Sequence, residues 1–121
     1  MKLVVFPNNK IHDLLSWIRN EDDRQFWSGN TFQEGLNSDI FSTHLQREDV
    51  YSHCFLGDKQ SLIAYGEIVV PDDKKGVLCR VIINPDLRKK GIGRNFISEL
   101  CNWAFKKKSL YKITLNTFGH N

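Results

Sequence analysis

The stretch that decides the fold is residues 81–94, which read Val81-Ile82-Ile83-Asn84-Pro85-Asp86-Leu87-Arg88-Lys89-Lys90-Gly91-Ile92-Gly93-Arg94. It begins inside a strongly apolar run over residues 77–83, which predicts a central strand that Asn84-Pro85 ends. A basic loop with two glycines follows. Residues 92–106 then carry an apolar stripe at helical spacing, formed by Ile92, Phe96, Ile97, Leu100, Cys101 and Ala104. The stretch therefore predicts a buried strand, a basic loop and a helix in direct succession.

The loop between this strand and helix is a candidate anion-binding site. The first turn of a helix has free N–H groups and the positive end of the helix dipole. Gly91 and Gly93 lack a Cβ atom, so a ligand can approach the backbone closely. Positive charge suited to phosphate groups comes from four side chains: Arg88, Lys89, Lys90 and Arg94. The loop is not a P-loop, because the Gly-Lys-Ser/Thr ending is absent, and it lacks the third glycine of a dinucleotide fingerprint.

The remaining apolar pattern predicts a single domain over residues 1–121. Upstream it indicates a strand over 3–6, helices over 11–18, 22–27 and 37–48, and a hairpin of strands over 51–56 and 61–70. Ser38 is the expected cap of the third helix. Downstream it indicates a strand over 111–117, and a strand–helix–strand crossover places that strand parallel to the central one. We therefore expect an α+β domain with a mixed, mostly antiparallel sheet flanked by helices.

The composition favours a globular protein and argues against several other classes. Of the 121 residues, 40% are hydrophobic and 26% are charged, so the chain can bury a core. No apolar run reaches the roughly 18 residues of a membrane helix, and the opening apolar stretch is too short for a secretion signal. The three cysteines are odd in number and far apart, which predicts free thiols in a cytoplasmic protein and neither a disulfide framework nor a metal site.

The charge is divided unevenly along the chain. Residues 1–70 have a net charge of −4 and residues 71–121 have +7, which together give the +3 of the whole sequence. A basic C-terminal half favours an anionic ligand, either nucleic acid or a phosphorylated cofactor. A solvated basic face is the ordinary alternative.

Three segments together resemble the GNAT superfamily of N-acetyltransferases. Arg88-x-x-Gly91-x-Gly93 is similar to the pyrophosphate-binding signature of that superfamily. The apolar segment before it resembles the fourth strand of the family, with the sequence Val81-Ile82-Ile83-Asn84-Pro85. The end of the chain resembles the fifth strand and the asparagine beyond it, with the sequence Leu115-Asn116-Thr117-Phe118-Gly119-His120-Asn121. The resemblance is good from residue 61 to residue 121 and only topological before that.

The resemblance implies an acetyl-CoA-dependent N-acetyltransferase in which a primary amine attacks the thioester directly. Backbone groups of Val81, Ile82 and Ile83 would pair with the pantetheine arm, and the amide near Ile83 would polarise the carbonyl. The pyrophosphate would be held at Lys89, Lys90, Gly91, Ile92, Gly93 and Arg94, with Arg88 beside them. Asn121 matches an asparagine that contacts the cofactor in the family. The acceptor would be an amine of a small molecule or peptide, without nucleic acid or membrane partners.

The sequence departs from the family pattern in two places. Asn116 stands where some members carry a glutamate base, so Glu67 is the best remaining candidate for a catalytic carboxylate. Its alternatives are an outward-facing position for Glu67 on an alternating strand, and a water chain as the base. The chain is also short at its C-terminus, and an uncovered fifth strand predicts pairing into a homodimer.

Other residues and functions remain open. The aromatic residues Phe26, Trp27 and Phe32 are expected to pack in the core, although one of them could touch the acceptor. The neighbouring acidic residues Glu21, Asp22 and Asp23 could attract a cationic amine or simply favour a helix start. A non-catalytic acyl-CoA-binding module is the main alternative function. A nucleic-acid-binding domain ranks last, because residues 88–94 contain no aromatic side chain for stacking.

Overall fold

The computed structural model describes residues 1–71 and 74–115, which form a mixed sheet with helices on both faces. The strands lie side by side in chain order: β1 Lys2–Val5, β2 Val50–Leu56, β3 Leu62–Val69, β4 Lys75–Ile83 and β5 Lys112–Leu115. The first four strands pair antiparallel, and β5 pairs parallel to β4. The predicted α+β class, the mostly antiparallel sheet and the parallel last pair are confirmed.

Three short helices cover one face of the sheet, and one long helix covers the other. The short helices are α1 Ile11–Leu15, α2 Glu21–Ser28 and α3 Ser38–Leu45, and the long one is α4 Ile92–Lys107. The predicted cap of α3 is wrong, because the side chain of Asn37, not Ser38, accepts the Ile40 N–H at 2.8 Å. Asn37 has an extended backbone, as a cap requires, whereas Ser38 is already the first helical residue.

Each face of the sheet has its own apolar core. Under α1–α3 the core contains fully or almost fully buried Leu14, Trp27, Phe41 and Tyr65. Under α4 it contains Phe55, Ala64, Ile68, Phe96, Leu100 and Ala104. The predicted apolar stripe of α4 is thus the face that packs on the sheet.

A β-bulge interrupts β4 before its end. Tyr65 is opposite Ile82 and Glu67 is opposite Cys79, so two residues of β4 stand against one residue of β3. Arg80, one of these two, has a φ of 52°. Such a bulge resets the alternation of side chains along the rest of the strand. As a result Ile82 packs with the α1–α3 core and Val81 and Ile83 pack with the α4 core.

None of the described helices has the length and hydropathy to cross a membrane. Residues 1–71 and 74–115 bring together no group of three or more His, Cys, Asp or Glu side chains that could hold a metal ion. The cysteines are free thiols, as predicted, with Cys54 and Cys79 buried and Cys101 half-buried.

Candidate functional site

The loop that leads into α4 has an open backbone that requires glycine. Gly91 is the N-cap of α4 and has a φ of 78°, in the left-handed region that other residues rarely adopt. A Cβ atom at Gly91 would have no heavy atom within 4 Å, so it would project into the space in front of the loop. Lys89, at φ 65°, is also left-handed. Together the two residues turn the chain so that an exposed stretch of backbone precedes the helix.

The first turn of α4 presents free donors to this space. Among residues 1–71 and 74–115, the first N–H within the helix to find a partner is that of Asn95, which donates to the Gly91 carbonyl at 3.3 Å. The preceding N–H groups of the first turn lie at the positive end of the helix dipole. Gly93 lies close to β4, since a Cβ atom there would be 3.6 Å from Ile83 Cγ1. Free N–H groups and exposed cations therefore converge beside the end of β4, which fits a phosphate group.

The end of β4 continues past its pairing with β5. In the described part of the chain this parallel pairing ends at Leu78 opposite Leu115, whereas β4 continues to Ile83. The Asn84 N–H donates to the Ile63 carbonyl at 2.8 Å. Because hydrogen-bonded and non-bonded pairs alternate along an antiparallel ladder, the N–H and C=O of Ile83 point away from β3. The Ile83 carbonyl accepts from Arg88 Nε at 3.3 Å, which joins the strand end to the basic loop.

A cleft of about 410 Å³ adjoins this strand end. One side consists of predicted site residues: Val81, Ile82, Ile83 and Arg88. The other side comes from the first 30 residues of the chain: Trp17, Arg19, Asp23, Phe26 and Trp27. The structure thus brings together the β4 residues and Arg88 with a wall formed by α2 and the segment before it.

Two of the three aromatic residues around α2 pack as expected. Trp27 and Phe32 are 5% and 4% exposed and stack on each other. The expectation of core packing is wrong for Phe26, which is 61% exposed and lines the cleft. Trp27 lies on the buried face of α2 with Arg24 and Ser28, whereas Phe26 lies outside that face. An exposed aromatic side chain in a cleft is available to a ligand.

The charges of the α2 wall include one carboxylate. Asp23 accepts the backbone N–H of Arg19 at 3.1 Å, and the guanidinium of Arg19 lies 3.9 Å away. Asp23 also belongs to the first turn of α2, where a negative charge is favourable. Trp17 and Arg19 were not singled out from the sequence. The apolar spacing suggests that α1 runs on through Ile18, whereas the helix ends at Leu15 and leaves both side chains at the cleft.

Glu67 is completely buried, so an outward-facing position is wrong. Its Oε1 accepts from Arg80 Nε at 2.6 Å, and its Oε2 contacts His44 Nε2 at 2.9 Å and the Tyr65 hydroxyl. Both oxygens are therefore occupied, and Glu67 is not among the residues that line the cleft.

Burial and the charge of Glu67 determine the protonation states of Arg80 and Tyr65. Burial disfavours a charged guanidinium, but the charge and hydrogen bond of Glu67 raise the pKa of Arg80 above its ordinary value. Burial, with the Glu67 charge adding to it, raises the pKa of Tyr65 well above its ordinary value, so its hydroxyl is a protonated donor. This cluster was missed in the sequence. The signal for it was Arg80, a charge in an otherwise apolar strand, since a buried charge needs a partner.

Two residues named from the sequence, Asn116 and the predicted cofactor contact Asn121, lie outside the described residues. The other predicted contacts are Val81, Ile82, Ile83, Arg88, Lys89, Lys90, Gly91, Ile92, Gly93 and Arg94. All of these lie at the strand end, in the loop or in the first turn of α4.

Comparisons with known proteins agree with this geometry. The sequence matches the Acetyltransferase (GNAT) family over residues 11–121. It matches no curated protein. Spermidine N-acetyltransferase from Vibrio cholerae, solved with CoA and spermine, superposes with a TM-score of 0.77 at 16% identity, over 96% of this chain and 70% of that one.

In two other solved structures, this chain matches a larger share of the neighbour's length. Ribosomal-protein-alanine N-acetyltransferase from Brucella melitensis biovar Abortus gives a TM-score of 0.69 at 17% identity, over 98% of this chain and 81% of that one. A mutant of the BH1408 protein from Bacillus halodurans gives 0.72 at 16% identity, over 98% and 83%. At these identities the likeness shows a shared fold. With the family match over most of its length, the chain belongs to the GNAT acetyltransferase family.

Proposed function

We propose that this protein is an N-acetyltransferase that moves an acetyl group from acetyl-CoA to a primary amine. The observation that carries the proposal is the set of free N–H groups at the start of α4, opened by Gly91 at φ 78° and placed beside the end of β4. Similar folds belong to enzymes described as a spermidine N-acetyltransferase and a ribosomal-protein-alanine N-acetyltransferase, which supports amine acceptors.

The residues at the loop and strand end fit a CoA ester. The N–H groups of the first turn, from Ile92 to Arg94, hold the pyrophosphate, together with the charges of Arg88, Lys89 and Lys90. The backbone of Val81 to Ile83 holds the pantetheine arm, and the Ile83 N–H stabilises negative charge on the thioester oxygen. Acetyl-CoA, when bound, supplies the activated acetyl group.

The acceptor amine enters from the α2 side of the cleft. Asp23 attracts the ammonium form, and the exposed ring of Phe26 offers apolar contact. Transfer forms a bond between the amine nitrogen and the acetyl carbon and breaks the carbon–sulfur bond. The bound ammonium first loses one proton to water, which leaves the neutral amine that attacks. A second proton passes from its nitrogen to water as the amide forms, and the departing thiolate takes up one proton from solvent.

Glu67, the carboxylate predicted to act as base, has no direct contact with the acceptor in this proposal. Its two oxygens already accept hydrogen bonds from buried side chains. A general base has to reach the proton that it removes, directly or through one water. We therefore assign Glu67 a positioning role.

The same enclosure of Glu67 favours a second candidate, a non-catalytic acyl-CoA-binding module. Asp23 is then the single carboxylate in the described lining of the cleft, and no acid–base pair is in place. Turnover separates the two functions, because a module binds acetyl-CoA and releases no free CoA in the presence of amines.

The decisive experiment is calorimetric titration with acetyl-CoA, followed by a panel of primary amines. We expect binding by the natural protein and its loss in the double variant Gly91→Glu/Gly93→Glu, which places two negative charges at the pyrophosphate site. Ser98→Glu is the matched control, because Ser98 is exposed on α4 beyond its first turn. Acetyl-CoA that does not bind the folded natural protein would exclude both functions.

The oligomeric state of the protein and its location in the cell also remain proposals. β5 is the last strand of the described sheet, and Leu115 on it is 62% exposed, which supports pairing into a homodimer. A monomer by light scattering at assay concentrations would exclude it. The cytoplasmic location inferred from free cysteines calls for fractionation of cells.

A further inference from the structure

One buried residue of the β4 bulge contacts three separate elements. Arg80 Nε donates to Glu67 on β3 at 2.6 Å, and Arg80 Nη1 donates to the Thr31 hydroxyl, in the loop after α2, at 3.0 Å. The Arg80 carbonyl accepts from Trp27 Nε1, in the last turn of α2, at 2.8 Å. A single residue therefore links the sheet to α2 and to the loop that follows it.

The side chain of Arg80 points to the α2 face only because of the bulge. Cys79 faces Glu67 across the ladder. Simple alternation would place the next side chain on the opposite face, against the apolar core under α4. The extra residue turns Arg80 to the same side as Glu67. Its φ of 52° is sterically unfavourable for a residue with a side chain, so the surroundings have to hold it.

The Glu67–Arg80 pair is suited to hold this conformation. Their side chains are 0% and 7% exposed, so the loss of either partner leaves an enclosed charge without its counter-ion. A buried ion pair adds little stability compared with apolar residues of the same volume. Its directional hydrogen bonds, in contrast, fix the guanidinium, and with it the carbonyl that receives Trp27.

The elements linked by Arg80 form the α2 side of the cleft. Trp27 lines the cleft itself, and Asp23 and Phe26 are on the same short helix. We propose that Arg80 and Glu67 are positioning residues, which hold α2 against β4 and so set the affinity for the acceptor amine. The pyrophosphate of acetyl-CoA, held at the start of α4, lies outside the elements that Arg80 links. The proposal rests on the proposed function only in naming the ligands of the two sides.

The direct test measures the hydrogen bond of Trp27 by NMR and does not depend on enzyme activity. The ¹H–¹⁵N indole resonance of Trp27, assigned with Trp27→Phe, reports its hydrogen bond to the Arg80 carbonyl. We expect Glu67→Gln and Arg80→Met to shift this resonance and to speed its exchange with water, and Arg80→Lys to restore part of the native position. Trp103 packs on the α4 side of the sheet, so its resonance is the internal reference.

Ligand affinities then separate the two sides of the cleft. With benzylamine as the acceptor probe, we expect Glu67→Gln to weaken binding about tenfold, which corresponds to about 1.4 kcal/mol. The affinity for acetyl-CoA should fall less in the same variant, because its pyrophosphate is held at the start of α4. Leu100→Ala is the control for lost stability alone. It opens the core on the α4 face and should leave the Trp27 resonance unchanged.

The outcomes are distinguishable. An unchanged Trp27 resonance in folded Glu67→Gln would overturn the positioning role, whatever the protein catalyses. Equal loss of benzylamine and acetyl-CoA affinity would overturn the separation of the two sides. Should Arg80→Met fail to fold, Thr31→Val removes one bond of the same residue and must still shift Trp27. If Trp27 moves as expected while the natural protein does not bind acetyl-CoA, the proposed function fails and the positioning role stands.

Discussion

Gly66 in β3 lies against the ring of Phe96 from α4, and its replacement by alanine tests how closely this helix packs. A Cβ atom at Gly66 would lie 2.7 Å from Phe96 Cε2 and 3.3 Å from Val81 Cγ2. Phe96 is fully buried and meets the Phe55 ring edge-on, with 5.0 Å between centroids, so its ring has little room to move. Overpacking of this kind costs about 1–3 kcal/mol, and we expect Gly66→Ala to lower the free energy of unfolding by about 2 kcal/mol.

Thermal and urea denaturation measure this loss. At about 4 °C per kcal/mol for a domain of this size, the Tm of Gly66→Ala should fall by about 8 °C. The matched control is Gly93→Ala, in which the new Cβ atom would be at an ordinary 3.6 Å from Ile83 Cγ1. Gly93 is inside α4, where alanine is favoured by about 1 kcal/mol, so the stability of this control should be unchanged or higher. Its affinity for acetyl-CoA should be lower, because the methyl group narrows the space beside the loop.

A double-mutant cycle identifies the side chain responsible. Phe96→Leu removes part of the ring that the new methyl group meets, so Gly66→Ala should cost less in that background, with a coupling energy of about 1 kcal/mol. An equal cost of Gly66→Ala in both backgrounds would refute the reasoning, because the obstacle could not then be the Phe96 ring.

Three further predictions concern single side chains. Phe26→Ala should change the free energy of unfolding by less than about 0.5 kcal/mol, since the ring is 61% exposed, and should raise the KM for an amine acceptor; an unchanged KM would remove Phe26 from the site. Burial lowers the pKa of His53, so protonation favours the unfolded chain, and the free energy of unfolding should fall below about pH 6.5 by less than about 1.4 kcal/mol per pH unit. His53→Phe should reduce this dependence between about pH 7 and 5.5. An equal pH dependence in both proteins would contradict the assignment. Burial raises the pKa of all three thiols, to about 12 for Cys54 and about 11 for Cys79. Because Cys101 is half-buried and the other two are buried, mass spectrometry of the folded protein should find Cys101 alkylated first.

The part of the site that follows one short stretch of sequence could be predicted. The strand over 77–83, the loop and the helix over 92–106 correspond to β4, the turn at Gly91 and α4. Each depends on local rules: an apolar run, a break at Asn84-Pro85, glycine where a left-handed residue is needed, and a 3.6-residue period. For that reason the strand end, loop and helix start that form the proposed anion site could be named by residue before the fold was known.

The bulge and the buried cluster could not be predicted in the same way. Alternation along β4 gives no sign of an extra residue at Arg80. Two of the three partners of Glu67, His44 on α3 and Arg80 on β4, are more than ten residues away along the chain. Asn37 and Ser38 are both good helix caps, and only the backbone at Asn37 decides between them. Which of Phe26 and Trp27 faces the core depends on the sheet on which α2 packs.

The two sides of the cleft therefore depend on different interactions for their position. Donors at the start of α4 are backbone groups on a helix of 16 residues, whose apolar stripe alone fixes its place. The proposed acceptor side is formed by α2, a helix of only eight residues, and helices that short do not form without tertiary contacts. Trp27 and Arg80 provide such contacts from the inner face. The outer face, with Asp23 and Phe26, remains free to vary without loss of the fold. If the proposed function holds, this difference is why the proposed cofactor side could be named from sequence and the proposed acceptor side could not.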